Sequence, residues 1–338
     1  MILTLIIILF ILMFLIPFIP GAYEIRKKKD AKPLFIDMEY RKDPRYFSLS
    51  FRKLLMDSLG EIASDEIHEV TLSKLEHAEI LDHGRPVTGT ELDMILYIRH
   101  DLISESDVTF HKEVYVREQT TIGKNNQLQA LACDGDVHIQ AGTTFFRWLD
   151  AQGSIRAERA CSLGVDATCG KMFSLAKTCS FTRLYGFPVQ TDSDEAPFQR
   201  TGIALEENLN VFEGDLIERI SSDIPPFTIK NCSLIAAKSL TIGDHVVICG
   251  HVKTHGDLII GNEAIIAGNV FAEGSITIGP RATIRGTVFS QQHTHIGVDV
   301  LIGAAQGIKS VISKKGVTLE SGVTIYGYTM TEGKGLVL

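Results

Sequence analysis

The chain has little proline, no C-x-x-C pair and no excess of positive charge, and each shortage narrows the reading. Ten prolines against 29 glycines describe many tight corners rather than a disordered chain. The six cysteines (Cys133, Cys161, Cys169, Cys179, Cys232 and Cys249) form no zinc-like grouping with histidine and read as reduced, buried thiols. A formal charge of −8 argues against general nucleic-acid binding, which needs a basic footprint. No P-loop, dinucleotide fingerprint or Ser/His/Asp signature is present. What remains is a 338-residue chain, 45% hydrophobic and 22% charged, with ample material for a core.

Residues Ile2 to Ile19 are apolar apart from Thr4 and Pro17. As a helix this run is about 27 Å long, close to the hydrocarbon thickness of a bilayer. It predicts a transmembrane anchor over 1–21, carried by residues such as Leu3, Ile6, Leu9, Phe14 and Phe18. No charged side chain precedes the run, while Arg26, Lys27, Lys28 and Lys29 follow it. That order favours a retained anchor over a cleaved signal peptide and places the body in the cytoplasm. The basic flank fits either anionic headgroups or an ordinary stop-transfer signal. Residues 22–103 read as this juxtamembrane stretch and a small mixed segment. Within it Phe47 to Leu59 has near-helical apolar spacing, opened by Asp43-Pro44.

The rest of the chain is periodic. Ile-Gly recurs at Ile242-Gly243, Ile260-Gly261, Ile278-Gly279 and Ile296-Gly297, each 18 residues after the last. Ile248, Ile266, Ile284 and Ile302 form a second column with the same period, and Val252, Val270 and Val288 a third. Inward residues come in pairs two apart, as on a strand, and three such pairs alternate with three corners. The pattern predicts an all-β fold, a β-helix of three-sided coils. The template also fits an earlier stretch without the Ile-Gly signature. There Val137, Ile155 and Phe173 align, as do Ile139, Ala157 and Leu175, and Phe145, Leu163 and Phe181. Thr143, Cys161 and Cys179 form another column, and so do Cys133, Ala151 and Cys169, so four cysteines act as small core residues.

The predicted blocks are 104–185 and 227–338, separated by an insertion or linker over 186–226. The last coil, with Val317, Leu319, Val323 and Ile325, comes about five residues late, so Gly303 to Gly316 contains an insertion. An uncapped solenoid ends in unpaired strands over an open core. These four residues are therefore the expected surface for end-on assembly.

Hexad-like repeats also occur in acyltransferases and carbonic-anhydrase-like enzymes. His138, His245, His251, His255, His293 and His295 all fall at outward positions, and three imidazoles meeting on zinc would need a neighbouring subunit. No catalytic residue, metal or cofactor is expected. A trimeric hexapeptide-repeat acyltransferase remains the alternative.

The segment VKTHGDLIIGNEAIIAGNVFAEGSITIGPRATIRGTVFS (Val252 to Ser290) resembles the bactofilins, bacterial polymer-forming cytoskeletal proteins. Gly268-Asn269-Val270, Ala272, Ile278-Gly279, Ala282, Ile284 and Gly286 follow their coil pattern in order. The resemblance is good over 227–302, fair over 130–185, and does not reach 34–103. It implies a right-handed β-helix that joins end to end into non-polar filaments without nucleotide, often at the bacterial inner membrane, where it positions cell-envelope partners. The expected function is therefore a membrane-anchored, self-assembling scaffold with no small-molecule substrate. A scaffold that recruits partners without polymerising is a further reading. Typical bactofilins are one short solenoid, whereas this chain has two repeat blocks and a large insertion.

Overall fold

The computed structural model describes residues 44–59, 69–72, 76–81, 91–192 and 216–338, with single residues 10, 13 and 16 besides. They form an all-β solenoid of about 13 turns. One helix, α1 (Tyr46–Leu59), lies against its flank.

The expected transmembrane helix has to be corrected. Among the described residues no helix is long and apolar enough to cross a membrane. Helix α1 has 14 residues, among them Arg52, Lys53 and Asp57, and at 1.5 Å per residue it reaches only about 21 Å of a ~30 Å hydrocarbon core. Leu3, Ile6, Leu9, Phe14 and Phe18, like Arg26, Lys27, Lys28 and Lys29, lie outside the described residues. Apolar length is a necessary condition for a span and not a sufficient one.

Each coil is three short strands in parallel register with the coils on either side. Leu258 lies between Leu240 and Ile276, Ile266 between Ile248 and Ile284, and Val270 between Val252 and Val288. Alternation sends every second side chain inward, and the inward columns are buried. Ile242, Ile260 and Ile278 stack in one column and Ile248, Ile266 and Ile284 in another; Val137, Ile139, Phe145, Cys161, Cys179 and Phe181 occupy the same interior in the first block. The corners are stitched from coil to coil. Asp244 accepts a bond from the Asn262 N–H at 2.7 Å, and Asp257 one from the Ser275 N–H at 2.7 Å. One corner is left-handed in every coil, with His245, Glu263, Arg281 and Asp299 at φ of 55–59°.

The coils begin earlier than the repeat signature. Strands His77–Leu81 and Ile95–Ile98 stand in parallel register with the coil that holds Val114 and Val116, so much of the mixed segment belongs to the solenoid. The late final coil is confirmed: Val288 faces Val311, 23 residues on, against 18 for each step from Leu234 to Val288. The extra residues form a loop closed by an Ala304–Gly307 bridge.

The two blocks share one buried core. The last strand of the first, Ser180–Thr191, pairs antiparallel with the last strand of the second, Thr324–Val337. Tyr185 faces Tyr328, Leu184 faces Thr329, and Gly186 faces Gly327. The blocks therefore meet tail to tail and run away from each other along one axis.

Candidate functional site

The geometry offers three places where function could reside: the joint, the two free ends, and the outer face that carries α1.

At the joint, Val337 N–H donates to Cys179 O at 2.9 Å and Thr178 N–H to Val337 O at 2.8 Å. Thr191 Oγ1 donates to Glu320 O at 2.7 Å and accepts from Val323 N–H at 2.9 Å. The Tyr185 and Tyr328 rings lie 4.5 Å apart. Gly335 is needed here, because a Cβ at that position would lie 2.3 Å from Phe181 Cε2. Val317, Leu319, Val323 and Ile325, expected to form an open end, are instead buried, and Ile325 faces Val189 of the first block. Their end is closed inside the chain, because the first block supplies the strand that a second molecule was expected to bring.

Among the described residues the open ends are the two beginnings. In the first coil of the second block, strand Ile217–Ile220 pairs with Ser233–Ala236, and Ile229–Lys230 with Val247–Ile248. Glu218 is in register with inward Leu234, and Lys230 with inward Ile248. Both therefore point over the core, where Lys230 Nζ donates to the two Glu218 oxygens at 2.9 Å each. That bond holds the Glu218 carboxyl below its usual range and raises the Lys230 ammonium. The first block begins alike: Glu79 is in register with inward Leu96, and strand Glu69–Thr71 lies antiparallel across it. Inward-pointing charge at a sheet edge is a known guard against edge-to-edge growth.

Helix α1 runs along the outer face of the first block's third strands. Phe51, Leu55 and Leu72 join Ile80, Ile95, Tyr97, Tyr115, Ala132 and Trp148 in a second, smaller core. At one end of it is Asp150, 1% exposed. Arg45 grips it at 2.7 and 2.8 Å, and Arg52 adds a bond to it while reaching Asp134 at 2.9 Å and Cys133 O at 2.8 Å. Burial alone would raise the Asp150 carboxyl. Bonds from Arg45 and Thr168 and the charge of Arg52 outweigh it and hold the carboxyl below its ordinary range. Near the helix start, a groove of about 610 Å³ opens between Tyr46, Phe47, Arg183, Tyr185, Tyr328 and Met330.

The outward histidines do not converge. His245 meets Glu263, His255 meets Glu273, and His295 meets Glu320, each pair joining two successive coils. His138 meets Glu158 at 3.2 Å. His251 Nδ1 accepts the Asn269 N–H at 2.8 Å, and burial lowers its affinity for a proton. Among the described residues no three His, Cys, Asp or Glu side chains are placed to hold a metal ion. Cys133 and Cys169 are held as thiols: burial pushes Cys133 up to about 11 and Cys169 up to about 12. The Asp150 cluster and the Glu218–Lys230 pair were not singled out in the sequence. Arg52 stands within the expected helix, and Lys230 lies one 18-residue period before inward Ile248, which is the signal the sequence carries for it; Glu218 is 16 residues before its partner Leu234, off that period.

Compared with known proteins, the chain matches no family model, no curated protein and no solved structure.

Proposed function

We propose that the chain is a structural scaffold, a bactofilin-like rod whose end-to-end contact is made once, inside the molecule, and whose sides are the working surface. The observation that carries this reading is the antiparallel joint between Ser180–Thr191 and Thr324–Val337. It consumes both tails, and the remaining ends carry Glu79 and the Glu218–Lys230 pair over their cores. Hydrophobic stacking of a second copy on either end would bury those charges, which is costly without new partners. A rod of fixed length with repeating lateral columns suits the positioning of other proteins at set spacings.

Light scattering on the purified chain over a range of concentration and salt tests this. A single rod of constant mass is expected. Replacing both plug residues, Glu218→Leu with Lys230→Leu, exposes an apolar end and should start concentration-dependent association. Filaments of the unaltered chain would overturn the reading.

A further inference from the structure

We infer that the outer face of the second block is a seat for a partner's amphipathic helix bearing carboxylates. The inference builds on the scaffold reading by naming what the side of the rod binds. Helix α1 shows what this face accepts. From Arg45 on Asp150 to Leu55 among Ile80 and Tyr97, it lies lengthwise over successive coils of the first block. At ~4.8 Å per strand the four steps between those rows come to roughly 19 Å, matching the ~21 Å of a 14-residue helix.

The same face continues past the joint. The outward column of Trp148 passes through Asp166 and Arg183 to Met330. From there it runs through Ile312, Phe289, Phe271 and Lys253 to Ile235. Phe271 and Phe289 each follow the inward residue of a third strand, Val270 and Val288, as Tyr115 and Asp150 follow Val114 and Leu149. They hold the position of the α1 seat, repeated in the second block. Their rings stack at 5.3 Å and 6°, with Lys253 Nζ 5.6 Å from the Phe271 centroid. Six strands make this stripe roughly 24 Å long, again the length of a four-turn helix. Helix α1 itself packs on the first block.

The chemistry of the two seats differs in sign. The α1 seat offers Asp134 and Asp150 to arginines. From Met330 to Ile235 the stripe offers apolar rings and Lys253, with Arg219 next in the column beside Ile235; the carboxylate of this column, Asp166, lies on the first block and is paired with Arg183. A second copy's α1, with Arg52 and Lys53 and with Arg45 just before it, has the wrong charge, so the occupant is a different protein. Its helix presents an apolar edge to Phe271, Phe289 and Ile312 and acidic residues to Lys253 and Arg219. The groove beside Met330 and Tyr328 lies at the joint end of the stripe and is shaped for one large apolar anchor.

The test is a selection of displayed helix-forming peptides of about 16 residues on the immobilised full chain. Enriched peptides are expected to carry apolar residues at i, i+3 or i+4 and i+7, with Asp or Glu at one end. A selected peptide should bind Phe271→Ser/Phe289→Ser about tenfold more weakly. Lys253→Glu, which leaves the rings intact, should shift the enriched charge from acidic to basic. Circular dichroism and mass should be unchanged in both variants. The inference is overturned if no helical periodicity emerges or if binding ignores both variants. Binding that appears only after removal of residues 1–43 overturns it too, since the chain's own segment would then hold the seat. A rod of constant mass that selects nothing defeats the seat alone, whereas filaments with stripe-dependent peptides defeat the sealed rod and leave the seat standing.

Discussion

The second block repeats its 18-residue coil without interruption from Leu234 to Ile302, whereas the first slips at Phe110/Glu113, Phe145/Trp148 and Phe181/Arg183. The interiors differ as well. Columns of Ile and Val fill the regular block, and the irregular one mixes Phe110, Phe145 and Phe173 with Ala and Cys. Both nevertheless build the same three-sided coil and share one core. The repeat is therefore one solution among several to a single requirement, a filled interior beneath continuous parallel ladders. Where volume is uniform the coils repeat and the outer face is a plain stripe. Where large and small residues alternate the strands bulge, and the outer face carries a helix held by a buried carboxylate.

The strongest way to break this comparison is Ile266→Asp. Ile266 is fully buried between Ile248 and Ile284, so the new carboxylate has no partner and should cost about 4–5 kcal/mol or more. Coils of a solenoid depend mainly on their neighbours. Amide hydrogen exchange should therefore show protection lost around Leu240 to Ile284 while the coils from Val114 to Ala167 keep theirs. Equal loss across both blocks would show that the joint makes the rod a single cooperative unit.

Next in size is the helix seat. Asp150→Asn removes the charge that Arg45 and Arg52 share, leaving Arg52 with Asp134. A loss of about 3 kcal/mol is expected, at the low end for a broken buried pair because that second carboxylate remains. Trp148, the chain's one tryptophan, touches Phe51 with ring centroids 5.7 Å apart, so its fluorescence reports the seating of α1 directly. The same reporter gives the acid response. The Asp150 carboxyl is held below its unfolded value of about 3.9, so its stabilisation is complete above that pH and is lost as pH falls through the lower, folded value. The signal should hold down to about pH 4 and change only below it, and in Asp150→Asn this acid step should vanish. A change centred near neutral pH would point to another group.

How much of this was legible in the sequence follows from what each feature depends on. The coil was readable because burial forces a two-residue alternation and stacking forces an 18-residue period, so Ile248, Ile266 and Ile284 announce their column. The cysteine columns were readable on the same ground. The left-handed corner was not, because Glu263 and Arg281 occupy it in place of the glycine or asparagine that marks such backbone. The joint was hidden for another reason. It pairs Tyr185 with Tyr328, residues 143 apart, and no local pattern encodes which strand end meets which. The charged plugs carry no apolar repeat signal, because Glu218 and Lys230 break the apolar columns they end. A scan that rewards apolar matches passes over the residues that close the stack.

The joint supplies the smallest and most discriminating test. Thr329 is fully buried at an inward position, facing Leu184 across the antiparallel pair and Val311 along its own block. Its Oγ1 has no hydrogen-bond partner among the described residues. A buried hydroxyl without a partner carries its full desolvation cost, and replacing it by a methyl of the same shape removes that cost without opening a cavity. Thr329→Val should therefore stabilise the rod, by about 1 kcal/mol, against the usual direction for a core substitution. Thr254 is the internal control: equally buried in a regular coil, its hydroxyl donates to Lys238 O, so Thr254→Val should destabilise. Urea midpoints of the two variants would then move in opposite directions. If both fall, Leu184 and Thr329 are not packed face to face, and the two blocks do not meet tail to tail.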